Sequence, residues 1–250
     1  MEPNIAILVY THSEYYFLWD IMISLIIKYV DKNIQIVWLT NDTTELYLKE
    51  KIPDNWIYSL YSESLIWTKR VGHCLNQLSY EYILFLHEDW LPTGDCSSEQ
   101  LNNMINFMKT HSCNYLLSYS HISTTSIQEG IYSGTKDYYF YKEKNHIFQP
   151  AIWKNDIFKE FCFSLNKSKC QNEDWECLNF MSTKNCWSIQ NRETVLSLRT
   201  TNSLFFPHMH ALSEGLWNFT KYPTLKLLLE SYGVDTSTRG THSWWELDTQ

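Results

Sequence analysis

The sequence has little glycine, 7 residues in 250, and contains no internal repeat, low-complexity tract or linker-like stretch. A repeat array or two domains on a flexible tether are therefore not expected. Positive charge is not in surplus. The formal net charge of −8 excludes a general affinity for nucleic acid. The 7 cysteines show no paired, metal-type spacing and are an odd number. They read as reduced thiols of a cytoplasmic protein, and on that reading the sequons at Asn166 and Asn218 carry no information. The start, MEPNIAILVYTHSEYY, lacks a basic region and a cleavage site, so it does not read as a signal peptide. No membrane-spanning run is present either. The most apolar stretch, Tyr15–Val30, is too short and carries Asp20 and Lys28. With Ser24 these residues recur every four positions, which makes one wet stripe on an otherwise buried helix.

What is present fits a packed globular chain. At 44% hydrophobic and 19% charged residues, the composition is ordinary, and 250 residues can bury a core that needs no disulfides. The 11 Trp and 17 Tyr are unusual. Planar side chains stack on sugars or bases, but they also fill cores, and the second use accounts for most of them.

Along the chain, Asn4–Thr11 reads as a buried strand followed by the helix just described. Ile34–Thr40 is a second strand and ends in Asn41 and Asp42. A helix over 63–79 carries Trp67, Val71, Leu75 and Leu78 on one face, and Tyr82–Leu86 is a strand that runs into His87, Glu88 and Asp89. Strands alternating with helices predict βαβ units and a mainly parallel sheet. The segment SSEQLNNMINFMK predicts a helix in which Ser97 and Gln100 form a capping box and Leu101, Met104, Ile105 and Met108 are buried. A strand is expected over Asn114–Ser120, and hairpins or loops over the Tyr-rich 131–148. Short helices are expected near 154–163 and 173–181, and a late helix in YPTLKLLLESYG, with Pro223 in its first turn and Gly233 closing it. The polar tail 235–250 contains Trp244 and Trp245 and is expected to pack down.

Ligands of a parallel sheet bind beyond the carboxyl ends of its strands. Three strands here end in polar groups: Thr11-His12-Ser13, Asn41-Asp42 and His87-Glu88-Asp89. All should lie on one rim. Asp89 can ligate a divalent ion that bridges a diphosphate, or it can cap the turn before Pro92. Glu173 and Asp174 begin a helix, where one acid can act as a general base or both can simply favour the helix dipole. The His208-Met209-His210 pair can complete a metal shell or contact phosphate, or serve the core. Arg70, in Trp67-Thr68-Lys69-Arg70, can pair with a phosphate or belong to a solvated helix face.

The order of these pieces resembles the GT-A class of nucleotide-sugar glycosyltransferases. YILFLHED is similar to their Asp-x-Asp strand, NEDWE to the Glu-Asp motif of inverting members, and QPAIWKNDIFKEF (Gln149–Phe161) to the acceptor-side segment between them. The ending from Pro207 to Asp248 resembles a subset encoded by large DNA viruses of algae and amoebae, with some bacterial relatives. The departure is His87, which stands where the family's first acid would be, while Asp89 matches the second.

The resemblance implies a single GT-A-like (Rossmann-like) α/β domain with a mixed, mainly parallel sheet flanked by helices. Residues 1–95 would bind the nucleotide sugar and 96–250 the acceptor. It implies transfer from a nucleoside-diphosphate sugar, UDP-linked, to a glycan or protein-glycan acceptor with inversion. Asp174 or Glu173 would be the base. Thr11, His12, Asp42, Arg70, His87, Glu88 and Asp89 would line the donor site, and Asp89 with His208 and His210 would hold Mn2+ or Mg2+. Two other readings fit the same residues: a metal-dependent hydrolase, and a non-catalytic sugar-binding protein on a degenerate transferase fold.

Overall fold

The computed structural model describes residues 4–41, 50–117, 127–131, 138–143, 150–164, 186–191, 205–213 and 215–242. Its centre is a nine-stranded sheet. In chain order the strands of that sheet are β1 (Ile5–Tyr10), β2 (Gln35–Thr40), β3 (Ile57–Leu60), β4 (Tyr82–His87), β6 (Tyr115–Leu117), β7 (Ile127–Ile131), β8 (Tyr138–Glu143), β9 (Ala151–Lys154) and β10 (Cys186–Asn191). In space the order is β3-β2-β1-β4-β9-β6-β10-β8-β7. β3, β2, β1 and β4 are mutually parallel. Their order is that of one half of a doubly wound nucleotide-binding sheet. β9 runs antiparallel to both β4 and β6, β10 returns parallel to β6, and β8 and β7 add antiparallel strands. This is a mixed α/β sheet flanked by helices, as strand–helix alternation in the sequence predicts.

Helices cover both faces: α1 (Trp19–Tyr29), α2 (Trp67–Asn76), α3 (Ser98–Thr110), α4 (Asn155–Ser164) and α5 (Leu225–Ser231). The central strands are therefore buried on both sides, and alternate residues feed two separate cores. Ile5, Ile7 and Val9 of β1, with Ile36 and Trp38 of β2 and Leu84 and Leu86 of β4, pack against α1, α3 and α5. Ala6, Leu8 and Tyr10, with Val37, Leu39, Ile83 and Phe85, pack against α2 and α4. At Gly72 a side chain would meet the Phe163 ring at 3.0 Å, so this glycine sets how closely α2 and α4 approach.

Several elements match expectation. Ser97 Oγ accepts from the Gln100 N–H at 3.1 Å while the Gln100 side chain accepts from the Ser97 N–H at 2.8 Å, closing the capping box of α3. Gly233, at φ +75°, follows α5. The Asp20, Ser24 and Lys28 stripe is the wetter face of α1. Other boundaries move. The first helix opens as a 3-10 turn over Ser13–Leu18, with the His12 side chain accepting from the Glu14 N–H, and becomes α-helical only at Trp19. The helix expected from 63 begins at Trp67, and residues 61–66 form a loop on the rim. β3 was not foreseen because it is a half-exposed edge strand with no apolar run. The helix expected over 173–181, with Glu173 and Asp174, lies outside the described residues, as do Asp42, Trp244 and Trp245. No helix among the described residues is long and apolar enough to cross a membrane.

Candidate functional site

The registers Tyr10↔Leu39 and Tyr10↔His87 hold the carboxyl ends of β1, β2 and β4 level. The residues after each strand thus meet on one rim, as expected.

On the β1–β2 side the rim is a polar network. Asn41 Oδ1 accepts from the Ser13 N–H at 2.8 Å, and Asn41 Nδ2 donates to Ser13 Oγ at 2.9 Å and to the Glu63 carboxylate. His12 Nε2 lies 3.4 Å from Asn41 Nδ2 and 3.6 Å from Glu63 Oε1. His12 is therefore on the rim with an accessible ring. Thr11 is not available in the same way. It is fully buried, and its hydroxyl donates to the Leu39 carbonyl at 3.2 Å. The expected role for its side chain in the donor pocket is corrected: it secures the sheet. Arg70 also differs from expectation. Nε donates to the Leu65 carbonyl at 2.7 Å, Nη2 to the Glu63 carbonyl at 2.9 Å and Nη1 to the Tyr10 hydroxyl at 3.0 Å. Its guanidinium sits 4.7 Å above the Tyr61 ring, which stacks on Tyr10. Arg70 braces the 61–66 loop instead of presenting a free fork to phosphate.

The three groups after β4 have three different surroundings. The His87 ring is held by Phe85 and Trp90, each 5.1 Å away, and by Tyr10 at 5.6 Å. Burial lowers its pKa, which keeps the ring neutral. Glu88 is 5% exposed and accepts from the His12 N–H at 3.1 Å, tying the end of β4 to the loop after β1. Burial, followed by the neighbouring Asp89, pushes its carboxyl well above the ordinary carboxylate range. Asp89 remains partly exposed. Burial alone would raise its pKa, but the His210 imidazole beside it, with His87 and a backbone hydrogen bond, outweighs this and holds it below the ordinary value.

His210 arrives from 121 residues away, with Nε2 3.0 Å from Asp89 Oδ2. A short two-stranded sheet brings it. β11 (His208–His210) pairs antiparallel with β5 (Trp90–Pro92), so His210 lies opposite Trp90. The Ala211 N–H donates to the Asp89 carbonyl at 2.7 Å, and Asn218 Nδ2 donates to the His210 carbonyl at 2.7 Å. Both members of the pair are thus fixed through their backbones. Asn218 itself is fully buried.

One carboxylate oxygen and one imidazole nitrogen at 3.0 Å fit adjacent ligands of a single divalent ion. Donors about 2.1 Å from an octahedral ion lie about 3 Å apart, and Mg2+ is commonly held by one or two carboxylates, with substrate phosphates and water completing the shell. The described residues contain no cluster of three or more His, Cys, Asp or Glu that could hold an ion without such help. His208, expected as a third ligand, is 3% exposed, stacks on Phe206 and sits with Nδ1 2.8 Å from the Phe206 carbonyl. Burial depresses its pKa to about 4. It is a neutral histidine of the core, deeper on the strand than His210.

Sequence reasoning missed Glu63, Tyr61 and Asn218, and also Tyr15, whose pKa is raised by burial and then by Glu88 and Asp89. Asn41 did give a signal, as the first polar residue after a strand.

No family model and no curated protein matches the chain. Among solved structures, the Staphylococcus aureus TarS fragment 1–349 in complex with UDP-GlcNAc aligns at 12% identity with a TM-score of 0.49, over 95% of this chain and 69% of that one. TarS 1–349 alone aligns at 14% identity and 0.48, over 75% of this chain, which spans 58% of the length of that fragment. A CMP:2-keto-3-deoxy-manno-octonic acid synthetase complexed with CTP aligns at 10% identity and 0.46, over 74% of this chain and 88% of that one. These are likenesses in the course of the chain.

Proposed function

We propose that the protein is a glycosyltransferase that moves a sugar from a nucleoside-diphosphate sugar, UDP-linked, to a glycan or protein-glycan acceptor with inversion. The observation that carries the reading is the Asp89–His210 pair at the carboxyl edge of the parallel half-sheet, assembled from two distant parts of the chain. A rim of this kind is where such sheets take nucleotides. His12 and Asn41 stand at the open end of β1 and β2 and would contact the nucleoside. Asp89 and His210 would hold Mn2+ or Mg2+, which would supply positive charge for the departing diphosphate.

Asp174, or Glu173 beside it, takes the proton from the acceptor hydroxyl. That oxygen bonds to the anomeric carbon from the face opposite the leaving group. The bond between carbon and phosphate oxygen breaks, and the electron pair leaves with the nucleoside diphosphate. Asp174→Asn keeps the shape but cannot take the proton, so transfer should fall by about two to four orders of magnitude. Binding of a UDP-sugar, read by calorimetry, should be nearly unchanged. Full transfer in the Asp174→Asn, Glu173→Gln double variant would overturn the base and the inverting reading with it. Glycan binding by the wild-type chain with no turnover of any nucleotide sugar would favour a sugar-binding protein, a reading that His87 in place of the first acid keeps in view. Phosphoester cleavage with Mn2+ would favour a hydrolase.

A further inference from the structure

We infer that Arg239, in the C-terminal segment, is a phosphate-binding residue of this site, its guanidinium taking the diphosphate on the side away from His12 and Asn41. The inference deepens the nucleotide-sugar reading and rests on it for the owner of the diphosphate.

Arg239 is partly buried between the turn that follows β1 and the hairpin that follows His210. Its guanidinium lies 5.0 Å from the Phe17 ring and 5.7 Å from the Tyr15 ring, both in the 3-10 turn that opens directly after His12. Its Nη1 donates to the Gly215 carbonyl at 3.1 Å. Gly215 sits between β12 (Leu212–Ser213) and β13 (Leu216–Trp217), the hairpin that begins two residues after His210. His12, three residues before Tyr15, donates its N–H to the Glu88 carboxylate at 3.1 Å, and the Ala211 N–H, four residues before Gly215, donates to the Asp89 carbonyl at 2.7 Å. The cation and the acids of the rim therefore share one neighbourhood.

The segment is held firmly. The Gly240 carbonyl accepts from the Trp217 N–H at 2.9 Å, and the His242 N–H donates to the Trp217 carbonyl at 2.8 Å. Trp217 is fully buried. Arg70 donates to protein through all three of its nitrogens, whereas Arg239 does so through Nη1 alone among the described residues. That leaves a planar fork for a ligand. A diphosphate needs it, because Glu14, Glu63 and Asp89 make the rim acidic, and an arginine fork matches paired phosphate oxygens. The competing role is a strap, in which Arg239 does no more than clasp the tail to Phe17 and Tyr15.

Calorimetry on the full chain with UDP and with uridine separates the two roles. Arg239→Gln should weaken UDP by about tenfold or more, the worth of a charged hydrogen bond, and leave uridine unchanged. Arg239→Lys should recover part of the loss. Equal weakening of UDP and uridine, or no weakening of either, would overturn the inference. A second measurement needs no variant. Phenylglyoxal modification of the wild-type chain, mapped by mass spectrometry, should be blocked at Arg239 by UDP and by inorganic pyrophosphate but not by uridine. An Arg239 modified equally in all cases overturns the inference even if Arg239→Gln fails to fold. Protection by pyrophosphate with UDP binding no tighter than pyrophosphate would instead sink the nucleotide-sugar reading and leave the phosphate site standing.

Discussion

His208 and His210 are two positions apart on one short strand and do different work, because depth along the strand decides what each meets. His210 reaches the rim and Asp89, while His208 is sealed between Phe206 and Trp90. The pattern His-x-His shows that both face the same way, but it carries no information on depth. Thr11 and Arg70 teach the same lesson, since a side chain at a strand end can be spent inside the protein. The depressed pKa of His208 has a consequence for stability. The folded chain takes its proton only near pH 4, whereas the unfolded chain takes it near 6.5. Its contribution is fully present above about pH 6.5 and is lost as pH falls through 4. The shift corresponds to about 3 kcal/mol. Denaturant unfolding of the wild type against His208→Gln should show the wild type losing more stability between pH 7 and 4. Parallel pH profiles would contradict the burial of a neutral His208.

At the scale of elements, long apolar runs and caps were legible. β1, β2, β4 and α3 stand where periodicity and the Ser97–Gln100 box place them. Elements whose partners are far away in sequence were not. β5 and β11 are three residues each and exist only because they pair with each other. The C-terminal segment was expected to pack down, but its partner was not legible: Gly240, Thr241 and His242 pair with Trp217. A chain ending after Asp235 loses these bonds and part of the cover over a buried indole. The loss should be about 2–4 kcal/mol, from two backbone hydrogen bonds and the apolar area exposed. Differential scanning calorimetry should place its midpoint about 5–10 °C lower. A truncated chain that melts with the wild type would show that the segment does not hold Trp217.

On the scale of the whole molecule, β1, β2 and β4 of the parallel half were readable from strand–helix alternation, and with them the rim that carries the candidate site. In the other half β6 was expected as part of a strand over Asn114–Ser120 and 131–148 only as Tyr-rich hairpins or loops, while β10 was not foreseen, because β7, β8 and β10 carry no clean alternation in their sequences. The acidic triplet after β4 was visible, but its division of labour was not. Glu88 ties two strand ends together, His87 is packed among rings, and Asp89 alone is paired at the rim. The central claim is that Asp89 and His210 together form a divalent-ion site that serves a diphosphate. Titration calorimetry of UDP into the wild type and Asp89→Ala, each with and without Mn2+, tests it most directly. The wild type should bind UDP more tightly with Mn2+, and Asp89→Ala, folded by its melting curve, should bind with the same affinity whether or not the ion is present. A Mn2+ enhancement that survives in Asp89→Ala would contradict the account.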